Sequence, residues 1–309
     1  MTAIDPTKTH LAQELKHDSP LLACRFDPAG RFLFAAAQDN TLQRFELEGG
    51  KKTPLAGHVS WVRAITFAGE MLITADYAGA VKWWPVDGDK PESVRSVEAH
   101  QGWVRAIAAS PDGKLIATCG NDCMVRLWSA EDGRLVRELT GHDCHVYNVA
   151  FHPKENRLVS ADLKGKVKDW DLAAGALVRE LDASALYKYD PSFRADIGGA
   201  RGIGFSPDGA LLACAGITEV SNAFAGVGKP LVVLFDWSSG KGAKKLQPKD
   251  DFQGTCWGVA IHPDGFVVGA GGGNGGMLWF WKPSEEKSFH AVKLPRPARD
   301  MALHPDGVR

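Results

Sequence analysis

A block of about 42 residues recurs along this chain of 309 residues, and the recurrence constrains the fold more than any other feature. It is clearest in GHVSWVRAITF (57–67), AHQGWVRAIAAS (99–110) and GHDCHVYNVAFHP (141–153). The residues that end the first strand of each block are spaced 41, 42, 42, 54, 56 and 42 residues apart: Phe26, Phe67, Ala109, Phe151, Phe205, Ile261 and Leu303. The sequence therefore predicts seven units, two of them enlarged, in one domain over residues 1–309.

Each unit alternates short β-rich runs with turn signals, and four strands per unit is the simplest interpretation. Tight turns follow the first strand at DPAG (27–30), SPDG (110–113 and 206–209) and HPDG (262–265 and 304–307). In these turns Pro fixes φ and Gly supplies a positive φ. A single four-stranded sheet cannot bury both of its faces. Sheets packed radially around a channel cover one another, so the pattern predicts an all-β array of four-stranded antiparallel blades.

The third unit carries His100 before its first strand, Thr118 in its second, Asp122 in the next turn and Trp128 in its third. These residues and their spacing resemble the WD40 repeat family, and the resemblance covers nearly the whole chain. It implies a seven-bladed β-propeller whose last blade is incomplete at the C-terminus. It also implies that the four side chains form a hydrogen-bonded set, in which each bond contributes about 0.5–1.5 kcal/mol net and the whole fixes the register of the blade.

The other units match this set less completely. In units two and four, Ala78 and Lys164 replace the aspartate, while Asp76 and Asp162 lie two residues earlier. Those units keep the remaining members, His58, Thr74 and Trp84 in one and His142, Ser160 and Trp170 in the other. Unit one has His17, Asp39 and Phe45 but Ala35 in place of the hydroxyl, and units five and six have Asp196 and Phe252 in place of the histidine. We expect packing to be the main stabilising contribution in the later blades.

Two segments bear on how the ring closes. HLAQELKH (10–17) matches the last-strand segments LVRELTGH and LVRELD, so the resemblance implies that residues 9–16 form the outer strand of the closing blade. ARDMALHPDGVR (298–309) runs through a first strand and its turn. Because an unfinished blade exposes strand edges, we expect a truncated chain rather than an incomplete native blade.

No pattern of catalytic residues is evident. Seven of the ten histidines occupy repeat positions or the turn after the first strand, and the sequence has no GxSxG motif. His142, Cys144 and His145 could attract a soft metal ion, but a structural zinc site requires four ligands. The glycine run 269–276 has neither a following helix nor a Lys-Ser/Thr pair, so we interpret it as a turn. We therefore expect a protein that is not an enzyme and has no metal and no cofactor.

Composition says little about partners. The net charge is −1, which indicates neither a nucleic-acid footprint across the chain nor a polybasic membrane patch. The N-terminal residues lack a leader pattern, and no apolar run reaches the roughly 20 residues that span a bilayer. We expect a cytoplasmic protein that is monomeric outside its complexes. The six cysteines show no CxxC spacing and are predicted to be reduced and mostly buried.

The positions that the units do not share point to a surface. Four residues before each first-strand end, the units have Leu22, Arg63, Arg105, Tyr147, Arg201, Trp257 and Arg299. Such arginines and aromatics are not a core composition. Two residues earlier, three units have Trp61, Trp103 and His145. We predict that nine of these side chains surround the channel mouth and bind a partner: Arg63, Arg105, Tyr147, Arg201, Trp257, Arg299, Trp61, Trp103 and His145.

Two enlarged loops, 183–199 and 217–230, are predicted on the same face. Loops on a rigid scaffold commonly carry recognition. Tyr187, Tyr189 and Phe193 are an unusual content for a solvated linker, so they favour ordered packing or contact over a disordered insertion.

These patterns favour a non-enzymatic scaffold that presents an Arg- and Trp-rich face to an acidic peptide or protein. One alternative is a propeller that binds a small anionic ligand, or is an enzyme, at the same face. Another is nucleic-acid binding through stacking, against which the neutral charge argues. A purely structural alternative is that the tryptophans join blades while Asp196 and Asp300 neutralise the arginines.

Overall fold

The computed structural model describes residues 4–222 and 227–309, and in this part of the chain the regular structure is almost entirely β. Six four-stranded antiparallel sheets follow one another along the chain, each with its strands in sequence order. A two-stranded hairpin lies between the fourth and fifth sheets. Two short 3₁₀ turns, Pro6–Lys8 and Ser184–Leu186, are the helical elements described. None of the described residues form a helix with the length and apolar character needed to cross a membrane.

The sheets are called blades 1 to 6. Blade 1 contains β1 (Leu21–Phe26), β2 (Phe32–Ala37), β3 (Leu42–Glu46) and β4 (Lys52–Leu55), and blade 2 contains β5 (Val62–Ala68), β6 (Met71–Asp76), β7 (Ala80–Pro85) and β8 (Arg95–Glu98). Blade 3 contains β9 (Val104–Ala109), β10 (Leu115–Gly120), β11 (Val125–Ser129) and β12 (Leu135–Leu139), and blade 4 contains β13 (Val146–Phe151), β14 (Arg157–Asp162), β15 (Lys166–Asp171) and β16 (Ala176–Asp182). The hairpin is β17 (Tyr187–Asp190) and β18 (Ala195–Gly198). Blade 5 contains β19 (Gly202–Phe205), β20 (Leu211–Asn222), β21 (Val227–Asp236) and β22 (Gly242–Leu246), and blade 6 contains β23 (Gly254–Ile261), β24 (Val267–Gly273), β25 (Gly275–Trp281) and β26 (His290–Leu294).

The blades are arranged around a central channel. Residues of all six first strands, together with Asp300 and Met301, line one channel cavity of about 290 Å³. Apolar clusters fill the spaces between neighbouring blades; Trp83 of blade 2, for example, packs with Ile107 and Trp128 of blade 3. Each blade thus covers a face of the next, as in a β-propeller.

The prediction of seven blades is wrong, because the described residues form six. Residues 298–309 of the seventh unit form no β-strand in the described structure, since a first-strand segment needs a second strand to pair with and none of the described strands pairs with it. The segment nevertheless occupies a place between blades 6 and 1. A Cβ at Gly258 would lie 2.9 Å from the Met301 backbone nitrogen, and Asp300 accepts hydrogen bonds from the Cys24 backbone and the Arg25 guanidinium, at 3.0 and 2.6 Å.

Residues 9–16 carry no β-ladder. The N-terminal segment runs between the same two blades, since the Ile4 backbone donates to Asp264 of blade 6 at 2.7 Å. At its other end, His17 lies 2.8 Å from the Asp39 carboxylate of blade 1.

The histidines of the HP turns join successive blades. His152 Nδ1 accepts from the Glu155 backbone at 2.8 Å, so its Nε2 carries the proton that is donated to the Gly209 carbonyl of the next blade at 3.1 Å. His262 bonds in the same way to Gly307 at 2.7 Å, and His304 to Gly30 at 3.0 Å. A Cβ at Gly30 would lie 2.6 Å from the His304 ring, and its φ is +69°, so the turn requires glycine. We call these three bonds the histidine stitches.

The four-residue hydrogen-bonded set is present in blade 3 as predicted. His100 Nδ1 lies 2.8 Å from Asp122, its Nε2 lies 2.8 Å from the Thr118 hydroxyl, and Trp128 Nε1 donates to that hydroxyl at 2.9 Å.

Blades 2 and 4 also contain a full set, which corrects the expectation that they lack one. Asp76 and Asp162 reach His58 and His142 at 2.7 and 2.8 Å from the ends of their second strands. The remaining bonds, of His58 and Trp84 to Thr74 and of His142 and Trp170 to Ser160, are all 2.7–2.8 Å. The two-residue displacement in sequence is therefore compatible with the same contacts.

Blades 1, 5 and 6 do without this complete set. In blade 1 His17 meets Asp39, but Ala35 supplies no hydroxyl and buried Phe45 replaces the tryptophan. In blade 6 Phe252 packs edge-on against Trp279, with ring centroids 5.2 Å apart. In these blades, packing therefore stabilises the sheet in place of the complete hydrogen-bonded set.

Both enlarged loops are mainly β-hairpins. Residues 187–198 form the pair β17–β18, with Tyr187 opposite Gly198 and Asp190 opposite Ala195. In blade 5 the ladder continues outward through Ile217 opposite Pro230 and Thr218 opposite Lys229. Residues 223–226 of the predicted loop 217–230 lie outside the described residues.

The cysteines are free thiols, and Cys119, Cys214 and Cys256 are buried. Burial raises the pKa of Cys214 and Cys256 to about 12. These thiols stay protonated and behave as small apolar side chains at neutral pH.

Candidate functional site: the channel mouth

The sequence-predicted residues converge on one cavity of about 230 Å³ at the end of the channel. Eight of the nine line it: Trp61, Arg63, Trp103, Arg105, Tyr147, Arg201, Trp257 and Arg299. The ninth, His145, is half-buried beside them. Burial and the nearby positive charge of Arg105 lower the pKa of His145, which favours its neutral form. We call the eight lining residues the mouth cluster.

A local irregularity of the first strands positions these side chains. The pairing of first and second strands skips one residue in blades 1, 2, 3, 4 and 6, and the skipped residues are Leu22, Arg63, Arg105, Tyr147 and Trp257. A β-bulge leaves one residue out of the ladder and redirects its side chain. Each of these five bulges therefore places one side chain of its blade at the channel mouth.

Aromatic rings and guanidinium groups alternate around the mouth. Arg105 lies 4.5 Å from the Trp103 ring and 4.6 Å from that of Tyr147. Arg201 continues the series between Tyr147 at 4.5 Å and Trp257 at 5.3 Å. Arg299 follows at 4.9 Å from Trp257. The rings hold the cations side by side through cation–π attraction.

The arginines of the mouth cluster have no carboxylate partner in the described part of the chain. Asp300 pairs with Arg25, which is not a cluster member, and Asp196 accepts a hydrogen bond from the Tyr187 hydroxyl at 2.7 Å. Among the described residues, neither of these two acids forms an ion pair with an arginine of the mouth cluster. Arg63 and Arg105 bond instead to neutral acceptors, the Leu22 carbonyl and the Asn121 side chain.

Arg201 is the most constrained of the four arginines. Its Nε is buried and has no hydrogen-bond acceptor. Burial, together with the positive charges of Arg105 and Arg63, lowers the pKa of its guanidinium, while Tyr147 acts in the opposite direction. An unpaired buried donor is unfavourable.

Sequence analysis missed one aromatic member of this surface. Tyr77 lines the cavity and stacks on Trp103, with ring centroids 4.0 Å apart and planes 8° from parallel. Gln38 and Asn121 line or border the cavity from equivalent positions, directly after the second strand of their blades. The backbone nitrogens of Tyr77 and Asn121 both donate to the residue two before the bulge, Trp61 and Trp103. The position directly after the second strand recurs in the repeat, so the sequence could have been used to predict that its residues lie at the mouth.

The hairpin β17–β18 stands beside the mouth. Gly199, at its base, approaches the Tyr147 ring, and Lys188 donates a hydrogen bond to the Val220 carbonyl of the extended blade 5 ladder. Tyr189 and Phe193 remain about half exposed, at 48% and 49%. The hairpin next to the mouth thus carries exposed aromatic side chains.

Within residues 4–222 and 227–309, no three His, Cys, Asp or Glu side chains are grouped as metal ligands. In the HDCH segment, both ring nitrogens of His142 are engaged by Asp162 and Ser160.

Three segments of the chain are similar to a known protein family. The model of the WD domain, G-beta repeat, matches residues 9–45, 91–129 and 133–171. These three segments are similar to WD40 repeats. The matched segments include the complete hydrogen-bonded sets of blades 3 and 4.

The similar proteins match about a third of this chain and a smaller share of their own length. The chain is 27% identical over 124 residues to a ribosome biogenesis protein WDR12 homolog of Drosophila mojavensis, covering 38% of this chain and 29% of that protein. It is 28% identical over 116 residues to the DENN domain and WD repeat-containing protein SCD1 of Arabidopsis thaliana, covering 37% and 10%. It is 32% identical over 109 residues to the human kinesin-like protein KIF21B, covering 34% and 6%. The matches span less than a third of each relative.

Proposed function

We propose that this WD40 protein is a non-enzymatic scaffold whose channel mouth binds an acidic segment of a protein partner. The observation that carries the proposal is the presence of Arg63, Arg105, Arg201 and Arg299 around one cavity without a carboxylate partner among the described residues. Guanidinium groups form strong bidentate bonds with carboxylates and phosphates.

The aromatic rim favours a polypeptide. Trp61 and Trp103 are 43% and 41% exposed beside the arginines. Exposed Trp and Arg are the residues enriched at binding hot spots. An acidic side chain could enter the cavity while an apolar neighbour packs on these rings.

The size of the cavity separates this proposal from a metabolite site. Pockets that enclose a small ligand usually measure about 300–1,000 Å³, whereas the mouth cavity is about 230 Å³. It suits one inserted side chain better than a whole cofactor-sized molecule.

The relatives support scaffolding in general terms only. One is named for ribosome biogenesis, one for a DENN domain and one for kinesin. What they have in common with this chain is the repeat, which fits a module that presents surfaces to other proteins.

The test is capture of proteins from a lysate by the wild type and by Arg63→Ala/Arg105→Ala/Arg201→Ala. A matched control, Lys114→Ala/Arg134→Ala/Lys154→Ala, removes the same charge from exposed positions outside the mouth cluster. We expect a partner that the wild type and the control retain and the mouth variant loses, with thermal unfolding showing that all three are folded. Identical recovery by all three would refute binding at the mouth.

A further inference from the structure

We infer that the channel mouth selects a doubly charged phosphoryl group on a partner's side chain, with Arg201 as its anchor, rather than a carboxylate. The inference rests on the proposed function and assigns the chemical class of the group that enters the cavity.

The charge of the mouth cluster is the first argument. Four guanidinium groups surround a cavity that no carboxylate of the described residues neutralises. A carboxylate would compensate one of these charges. A phosphomonoester carries a charge of about −1.5 to −2 at neutral pH and three acceptor oxygens, so it can accept from several arginines at once.

The position of Arg201 is the second argument. Its guanidinium carbon lies 4.5 Å from the centre of the Tyr147 ring and 5.3 Å from that of the Trp257 ring. Arg105 shares the Tyr147 ring and Arg299 shares the Trp257 ring. The shared rings bring a cation to either side of Arg201, and planar guanidinium edges suit the oxygens of a phosphate.

Unsatisfied interactions are the third argument. Arg201 has a buried Nε without an acceptor, and Arg105 and Arg63 are close enough to disfavour its positive charge. The mutual repulsion is relieved most by the ligand with the largest negative charge. A dianion should therefore gain more from this site than a monoanion of the same shape.

Exposed aromatic rings beside the cavity define the neighbouring group. Trp61 and Trp103 flank Tyr77 in a stack at the edge of the cluster. An apolar or aromatic group next to the phosphoryl group would pack there. Phenyl phosphate carries both features and is a suitable probe.

The first experiment titrates the protein with phenyl phosphate, phenyl sulfate and benzoate by calorimetry at pH 7.5. Phenyl sulfate has the same shape as phenyl phosphate but only one negative charge. We expect phenyl phosphate to bind at least about tenfold more tightly than either monoanion, because more charge-assisted bonds form. Equal affinities for the three probes would overturn the inference.

The second experiment tests the anchor with Arg201→Lys, which keeps the charge and removes the planar donor edge. We expect its affinity for phenyl phosphate to fall by about tenfold or more, while Lys114→Ala/Arg134→Ala/Lys154→Ala binds as the wild type does. Unchanged binding by Arg201→Lys would show that Arg201 is not the anchor. If that variant does not fold, Arg63→Lys and Arg299→Lys, at the edges of the cluster, test the same requirement for guanidinium groups.

The third experiment separates failure of this inference from failure of the proposed function. The lysate used for capture is divided, and one half is treated with a protein phosphatase. Loss of the mouth-dependent partner after treatment, or its competition by phenyl phosphate, supports the inference. A partner that depends on the mouth but is insensitive to both treatments leaves the scaffold proposal standing and refutes phosphoryl selection.

Discussion

At the scale of single residues, the register of blades 2, 3 and 4 depends on a short chain of directed hydrogen bonds. In blade 2, Trp84 donates to the Thr74 oxygen, and His58 lies between that hydroxyl and the Asp76 carboxylate. A carboxylate only accepts, so His58 Nδ1 carries its proton and Nε2 accepts from the Thr74 hydroxyl. Every donor has one acceptor, which selects a single arrangement of the blade.

Removing the carboxylate of blade 2 should be strongly destabilising. Asp76 is fully buried and also accepts from the backbones of Ala78 and Ala80 at 3.0 Å. Asp76→Ala leaves buried donors unpaired, and we expect the free energy of unfolding to fall by about 2–4 kcal/mol. Asp39→Ala in blade 1 is the control, since Asp39 is 38% exposed, and we expect a loss below about 1 kcal/mol. Denaturant unfolding measures both. Equal losses would contradict a special role for the buried set.

The same carboxylates make stability depend on pH. Burial alone would raise the pKa of Asp122, but hydrogen bonds from His100 and Arg126 outweigh it and hold this pKa well below its ordinary value. The pKa values of Asp76 and Asp162 are lowered in the same way. The unfolded chain, with aspartate pKa values near about 3.9, binds more protons in acid. The stabilisation is therefore complete above about pH 5 and is lost as the pH falls toward the folded-state values.

Asp122→Asn tests this linkage. We expect a variant that is less stable at neutral pH and whose acid slope is shallower by up to about 1.4 kcal/mol per pH unit. Asp89→Asn, at a side chain that is 95% exposed, is the control. Unfolding free energies between pH 7 and 2.5 give the slopes. Parallel curves for wild type and Asp122→Asn would show that this carboxylate does not contribute to the acid transition.

At the scale of elements, sequence periodicity predicts the blade but misses its irregularities. Apolar alternation and the Pro-Gly turns predict four strands per unit, and six units have them. The spacing also identifies the mouth positions, because one residue per unit escapes the core pattern. That these residues are bulges, as at Arg63 and Trp257, depends on pairing with the second strand and has no local signal.

The structure differs from the sequence-based expectation in two further places, and a linear motif does not contain the physical reason for either. Asp76 completes the set of blade 2 although it lies two residues before the motif position. Its carboxylate oxygen reaches the His58 ring from there, and this contact, not the sequence position, defines the set. The aromatic content of residues 183–199 indicated order, but the hairpin depends on cross-strand pairs such as Tyr189 with Asp196. Tyr77 was missed because it is aromatic in one unit only.

At the scale of the whole molecule, the ring is held together across the place of the seventh unit by contacts between its two ends. His304 donates to the Gly30 carbonyl at 3.0 Å, and its ring meets Phe26 edge-on at 4.8 Å. On the other side His262 donates to the Gly307 carbonyl, so two stitches connect blade 6 to blade 1 through residues 304–307. Closure brings together residues that are separated by nearly the whole chain. Because closing so long a loop costs chain entropy, these contacts are sensitive to the loss of one bond.

A matched pair of substitutions tests whether closure is the weak point of the ring. His152→Ala and His304→Ala each remove one histidine stitch and one edge-on contact with a phenylalanine, at 4.9 and 4.8 Å. His152→Ala also removes a stacked contact with Trp237 at 5.1 Å, which makes it the more demanding control. Blades 4 and 5 stay connected by the hairpin segment when His152 is lost, whereas blade 1 has no such link to residues 298–309. Since a lost bond of about 1–1.5 kcal/mol corresponds to roughly tenfold more frequent opening, we expect amide hydrogen exchange in β1 and β23 to accelerate by about that factor in His304→Ala. In His152→Ala the acceleration should be smaller and confined to β13 and β19. Acceleration of equal size at both junctions would show that losing a stitch has the same effect whether or not the chain connects the two blades, and closure would then not be the weak point of the ring.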